Sequence, residues 1–258
     1  MPEYEVAFLG HMCVDEIIPF GGAPAIAPGS AVLCGAVTAA RIGRKTRAIV
    51  KMAESDGAIL DGMRAAGVDV TIIPAACTTW SQVVHPVADV DVREIFIKKT
   101  AGFITADEVG EIDAAHLHLA GISSTEFDLP LIEALVAGGI PLSVDMQSFV
   151  RQPAGPGGRV VFADVPLKAD ITALMDKVKL DAVEARILTG TDDLEEAAKT
   201  FEGYGCPEVL ITRSDGVLAR AFGKTYFEKF SNTSTIGRTG RGDTTFAAYL
   251  CRRMDHPP

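Results

Sequence analysis

Thr235-Ile-Gly-Arg-Thr-Gly-Arg-Gly-Asp-Thr-Thr-Phe-Ala-Ala-Tyr-Leu250 carries Gly237, Gly240 and Gly242 directly before an apolar helical pattern that opens at Asp243. The glycines therefore fall where a helix must begin. A first helical turn leaves N–H groups without intrahelical partners and carries partial positive charge, and glycine removes the Cβ that would keep an anion away. Such a loop can hold phosphate. It also puts Asp243 at the mouth of the anion site, close enough to take a proton from a hydroxyl attacking a bound phosphoryl group. The same pattern fits an ordinary helix start with an acid in its first turn. Arg241-Gly242-Asp243 is in addition a cell-adhesion tripeptide, but that use needs an exposed flexible loop rather than the lead into an apolar helix. Neither Gly-x-x-x-x-Gly-Lys-Ser/Thr nor a strand followed by Gly-x-Gly-x-x-Gly occurs, so Walker-type and dinucleotide readings lack their signatures.

Gly237-Arg-Thr-Gly-Arg-Gly-Asp243 resembles the Asp-x-Thr-Gly-Ala-Gly-Asp signature of the ribokinase-like (PfkB) carbohydrate kinases. The resemblance implies Asp243 as catalytic base, the amides of Gly240, Arg241 and Gly242 as an anion hole, and Thr239 beside the nucleotide. Gly237 stands where the signature has its first Asp, and Arg241 where it has Ala. A guanidinium at 241 either bonds phosphate oxygens or points to solvent.

Composition agrees with a large α/β core. The chain has 258 residues, enough for one such core with at most a small appendage. Hydrophobic residues make up 48% and aromatic ones only 7%, which fits helices packed on a buried parallel sheet. The formal net charge of -10, with no basic stripe, argues against a nucleic-acid partner. The five cysteines are scattered without metal-type spacing, which suggests buried thiols in a reducing cytoplasm. The acidic start and the lack of a long apolar run speak against secretion and membrane spanning.

Along the chain, Glu5–Gly10 reads as a buried strand that delivers Asp15 near a strand end, where ligands of open α/β sheets collect. Asp15 is either a surface carboxylate or, by the resemblance, the acid that binds substrate hydroxyls. Gly29 and Ser30 precede a small-residue helix closed by Gly43. That helix packs closely on a sheet, and it also resembles the family's Gly-Gly-x-x-x-Asn-x-Ala sugar-binding helix, with Ser30 for the second Gly and Cys34 for the Asn. A thiol does not replace a carboxamide that donates and accepts strong hydrogen bonds. Thr46–Met52 reads as a strand, Ser55–Ala66 as a helix and Val68–Ile73 as a strand. From Thr78 to Lys98 the period becomes two, which reads as antiparallel hairpins. The resemblance makes these, with about 11–20, a β lid over the sugar. Trp80 and Phe96 either stack on the sugar or fill the lid, and Arg93 reads as a solvated hairpin charge.

His116 and His118 share one face of the strand Ala114–Gly121, and without a third ligand they read as structural rather than metal-binding. Phe127–Ala137 is a helical pattern, and Pro141–Asp145 a strand. Asp145 at its C-terminus is an active-site candidate or a strand-end cap or salt bridge; through Arg151 the segment resembles the family's Asp-x-Asn-x-x-Arg. Gln152–Arg159 is a surface loop. Asp181 and Glu184 lie three apart at a strand-to-helix junction, as a capping box requires. The stretch is also similar to the family's Asn-x-x-Glu…Leu-Thr-Gly, which implies Mg2+ organised by Glu184 with Asp181. Thr212 and Gly216 lie in a strand-turn-strand that resembles the nucleotide turn, or form a plain hairpin turn. Members of the family usually continue through further helices around the adenine, so the resemblance implies a short protein or an incomplete chain.

These readings converge on a single ribokinase-like domain over 1–258, a three-layer α/β/α sandwich with a mainly parallel sheet and a small β lid. The expected activity is ATP- and Mg2+-dependent phosphorylation of a sugar or polyol hydroxyl. The replaced Asn and short lid make myo-inositol or another polyol a candidate acceptor. A nucleoside kinase and a catalytically silent nucleotide- or sugar-binding sensor are the rivals, and an exposed lid edge allows a homodimer.

Overall fold

The computed structural model describes residues 2–89, 92–231 and 240–257. Its first half lays down β1 (Val6–His11), β2 (Cys13–Ile18), β3 (Ala25–Gly29), α1 (Ala31–Ile42), β4 (Thr46–Met52), α2 (Asp61–Ala65), β5 (Asp69–Pro74), β6 (Thr79–Val84), β7 (Glu94–Lys99), α3 (Ala106–Val109) and β8 (Leu117–Leu119). The second half continues with α4 (Leu129–Ala137), β9 (Leu142–Asp145), α5 (Gln147–Val150), β10 (Arg151–Gln152), β11 (Val161–Phe162), α6 (Lys168–Ala173), β12 (Lys177–Asp181), α7 (Ala182–Thr189), α8 (Leu194–Gly203), β13 (Glu208–Thr212), β14 (Gly216–Ala221), β15 (Lys224–Lys229) and α9 (Arg241–Asp255).

Nine strands form one sheet in the order β15-β14-β13-β12-β9-β8-β1-β4-β5. From β5 to β13 every neighbouring pair is parallel, and β14 and β15 add an antiparallel edge. The period of two explains why both faces are covered. Val6 and Phe8 of β1, Val50 and Met52 of β4 and Leu210 of β13 join one core with Val32 of α1 and Phe246 and Leu250 of α9. Their neighbours Ala7, Leu9, Ile49, Val209 and Ile211 point into the other core, with Leu131 of α4, Leu188 of α7 and Phe201 of α8. Each such side chain contributes about 1.5–3 kcal/mol by leaving water, so the sandwich is specified strand by strand.

The strands run so that Gly10, Asp145, Asp181 and Thr212 end at the same rim of the sheet, where such folds place their ligands. The two histidines sit under it. His116 Nε2 and His118 Nδ1 lie 2.9 and 3.0 Å from the Ser143 hydroxyl, within hydrogen-bond distance of both rings. His118 is packed between Phe8 and Phe246, so both rings are structural, as expected. The segment 55–66 differs from its expected form: Glu54–Leu60 is 3-10 helix and only Asp61–Ala65 is α-helix, in keeping with the weak helix propensity of Gly57 and Gly62. The strand expected over Ala114–Gly121 narrows to three residues.

The lid is a second sheet in the order β3-β2-β6-β7. The hairpin expected over Thr78–Lys98 is formed by antiparallel β6 and β7; β2 and β3 are antiparallel as well, while β2 and β6 run parallel. Those two strands enter from different chain segments with a βα unit between them, so no hairpin fixes their sense. β3 enlarges the expected lid by one strand and leaves its outer edge exposed. Register puts Asp15, Ala27, Ser81 and Ile97 on one face, and Val14, Trp80, Gln82 and Phe96 on the other. Trp80 and Phe96 thus occupy the face opposite Asp15. Among the described residues, no helix is long and apolar enough to cross a membrane.

Candidate active site

The first turn of α9 meets three other elements. Gly240 is its N-cap, with φ 79° and ψ 4°, a left-handed conformation that glycine adopts without a Cβ clash. A Cβ there would also lie 2.3 Å from the Cys34 sulfur of α1. The next residues, Arg241 and Gly242, hold amides that no earlier helical carbonyl can satisfy, and Asp243 follows half-buried in the same turn. Arg241 does not point idly to solvent. Its Nη1 and Nη2 donate to the carbonyls of Ser214 and Arg213 at 3.2 and 3.1 Å, and its guanidinium lies 4.8 Å over the Phe230 ring. The helix start is thereby tied to the β13–β14 turn. Thr239 and Gly237 lie outside the described residues.

Below this turn is a buried charge network. A Cβ placed on Gly242 would be 3.1 Å from Lys179 Nζ and 3.6 Å from Thr212 Oγ1. Lys179 and Asp145 are direct cross-strand partners on β12 and β9, and register alone brings Nζ to 2.7 Å from Asp145 Oδ2. The other Asp145 oxygen accepts the Gln147 N–H at 3.1 Å and starts α5. Asp145 is therefore both strand-end cap and salt-bridge partner, on the anion-hole side of the site. Burial raises its carboxyl, and the Lys179 ammonium pulls it back down. For Lys179 burial opposes the charge, but Asp145, Glu184 and Asp243 outweigh it and keep the amine protonated.

Asp181 caps α7 and pairs reciprocally with Glu184: Oδ1 accepts the Glu184 N–H and Glu184 Oε2 accepts the Asp181 N–H, both at 2.8 Å. The capping box expected from the spacing is thus formed. Arg151 donates to Glu184 Oε1 at 3.0 Å and stands 4.0 Å from Asp181 Oδ2. Glu184 is wholly buried. Burial and the Asp181 charge raise its carboxyl, and Arg151 and Lys179 lower it. Each Glu184 oxygen already accepts a protein hydrogen bond, one of them from the Arg151 guanidinium, and the side chain is wholly buried, so it does not fit an open role in organising Mg2+ through water.

The opposite wall is sparser. Asp15 lies on the inner face of the lid, and the Cys13 thiol donates to its Oδ1 at 3.4 Å. Gly29 makes room for it, since a Cβ there would sit 1.9 Å from Asp15 Oδ2. Burial raises the Asp15 carboxyl; hydrogen bonds from Cys13 and Ser81 lower it, and the charge of Asp243 raises it. The Cys34 thiol is pushed up to about 12 by burial and then by Asp243 and Asp15, so it stays protonated between them. Ser30 caps α1, its hydroxyl accepting the Leu33 N–H at 3.0 Å, from a backbone at φ 152° and ψ 160° that glycine would hold more easily. Gly216 is placed differently: a Cβ there would strike Glu228 O and the Phe227 ring, so its lack of side chain serves the β14–β15 hairpin. Thr212 is beside the helix start.

Lys179 is the candidate site residue that motif reading passes over. Its signal is a lysine between Val178 and Leu180 on a buried strand, two residues before Asp181.

No protein-family model matches the chain. The structure superimposes with a TM-score of 0.90 on a sulfate complex of a pyrophosphate-dependent kinase in the ribokinase family, 32% identical, covering 96% of this chain and 87% of the other. The chain belongs to the ribokinase family. As a ribokinase-family member it is a phosphotransferase whose acceptor is a hydroxyl group. A pyrophosphate-dependent kinase of the same family, complexed with a pyrophosphate analog and myo-inositol, is 32% identical with a TM-score of 0.88. A cytidine kinase of Thermococcus kodakarensis is 26% identical over 221 residues, 83% of this chain and 75% of its own.

Proposed function

We propose that the protein transfers a phosphoryl group from pyrophosphate to a ring hydroxyl of a cyclic polyol of the myo-inositol type. One observation carries the choice of donor. Arg241 is pinned across the β13–β14 turn while Lys179 lies beneath Gly242, so two cations flank the helix start that carries the anion hole. A compact, highly charged donor suits such a pocket better than a nucleotide. The likeness to two pyrophosphate-dependent kinases supports the same donor.

Asp15 would hold acceptor hydroxyls while Asp243 takes the proton of the attacking one. The new oxygen–phosphorus bond forms as the bridging bond of pyrophosphate breaks, and inorganic phosphate leaves. Amides of Gly240, Arg241 and Gly242, with the Lys179 ammonium, stabilise the charge on the transferring group and its leaving phosphate. Trp80 and Phe96 lie on the lid face opposite Asp15 and so are not set to stack a base beside it, which favours a polyol over a nucleoside.

The test follows product formation by phosphorus NMR with myo-inositol, other polyols and cytidine, each with pyrophosphate or ATP, beside Asp243→Asn. Pyrophosphate with a polyol should give the fastest transfer, and the variant should lose about 10²-fold or more in kcat. Faster transfer from ATP would reject the donor, and equal rates for the two proteins would reject Asp243 as base.

A further inference from the structure

The family resemblance gives Glu184 and Asp181 a divalent cation, and the disagreement of the structure with that assignment points elsewhere. One oxygen of each acid is engaged by the reciprocal cap, and the second oxygen of Glu184 by the Arg151 guanidinium, inside a wholly buried side chain. Among the described residues no group of three or more His, Cys, Asp or Glu side chains gathers as a metal site. The position of a metal partner to Glu184 is held by a guanidinium.

Arg151 is well placed for more than neutralising an acid. It begins β10 directly after the β9–α5 connection, so the same backbone that sets Asp145 sets it. Its side chain is only 14% exposed, with the Phe162 ring 5.8 Å from the guanidinium carbon. Its Nε is buried and has no hydrogen-bond partner. A guanidinium keeps its charge at any working pH and has five N–H donors. Two acids hold one side of this one, and Thr212, the cross-strand partner of Asp181, lies beneath Gly242 of the helix start, so the guanidinium stands in the half of the site that contains the anion hole.

We propose that Arg151, not a metal ion, is the cation that Glu184 serves: Glu184 is a positioning residue that fixes the guanidinium, and Arg151 turns its remaining N–H donors to the phosphate donor. A divalent ion, when present, then reaches the site on pyrophosphate rather than on Glu184. This rests on the phosphoryl-transfer reading above.

Steady-state kinetics of Arg151→Met, Arg151→Lys and Glu184→Gln, with Mn2+ binding followed by paramagnetic resonance in the presence of methylenediphosphonate, test it. Arg151→Met should raise the pyrophosphate KM about 10–100-fold, the worth of a charge-assisted hydrogen bond, and leave the polyol KM within about twofold. Arg151→Lys keeps the charge and should restore part of the loss; it carries the comparison if the methionine variant does not fold. Glu184→Gln should leave the Mn2+ dissociation constant nearly unchanged, whereas weakening by about tenfold or more would restore Glu184 as a metal-organising residue and overturn the proposal. An unchanged pyrophosphate KM in both arginine variants overturns it as well. If the wild-type protein moves no phosphoryl group from pyrophosphate, the functional reading fails separately, and the Mn2+ comparison still decides the role of Glu184.

Discussion

The two halves of the cleft are built on different physics. On the donor side, Lys179–Asp145 and Arg151–Glu184 are buried ion pairs fixed by strand register and helix caps. On the acceptor side, one carboxylate, Asp15, is held by a thiol and a serine on a four-stranded lid, against a helix of small residues. A buried pair demands its partner, because a lone buried charge is costly. A half-buried acid on a lid demands little. In the proposed reaction the chemistry of transfer is therefore built rigidly into the scaffold, while the choice of acceptor rests on few and replaceable groups.

The comparison breaks first at Lys179. Lys179→Met leaves Asp145 without its ammonium and should cost about 3–5 kcal/mol in urea unfolding, with most of it recovered in Lys179→Met/Asp145→Leu. A loss below about 1 kcal/mol for the single variant would mean that the donor side is not held by this pair. Next is the scaffold beneath. His116 and His118 bind protons less readily in the fold than the ordinary 6.5, by burial first, His118 down to about 3. The unfolded chain then takes up more protons below pH 6.5, so this contribution is fully present above that value and fades as pH falls. Unfolding free energy should drop by about 1.4 kcal/mol per pH unit for each ring below it. A flat profile between pH 6.5 and 5 would sink the assignment of neutral rings.

Smaller effects should mark the acceptor side. Asp15→Asn is expected to raise the polyol KM about 10–100-fold and to leave both the pyrophosphate KM and Tm nearly unchanged. If both substrates weaken equally, the two halves are not separable. Ser30→Gly trades a strained backbone for a lost cap and should move stability by less than about 1 kcal/mol in either direction; a larger loss would show that the cap dominates.

The legible parts of the molecule are those with local causes. Gly240 and Gly242 before Asp243 announced a helix start able to take an anion, and the spacing of Asp181 and Glu184 announced a capping box; both are short-range hydrogen-bond chemistry. Composition, rich in aliphatic and poor in aromatic residues, together with the apolar strands at 5–10, 46–52 and 208–212, announced a sheet covered on both faces. Where the reading fell short, the cause lay across the chain. The parallel pairing of β2 with β6, the face taken by Trp80 and Phe96, and the turn of Gly216 toward β15 depend on strand partners far away in sequence.

The residue order alone settled that glycines precede Asp243 at a helix start and that strands with continuous apolar runs, such as Val6–Leu9, must be buried on both faces, because backbone conformation and side-chain direction are properties of neighbouring residues. Which charges meet was decided only on folding. Lys179 finds Asp145, and Arg151 finds Glu184, through the register of β9 against β12 and the path from α5 to β10; pairing between distant segments is fixed by the sheet, not by spacing along the chain.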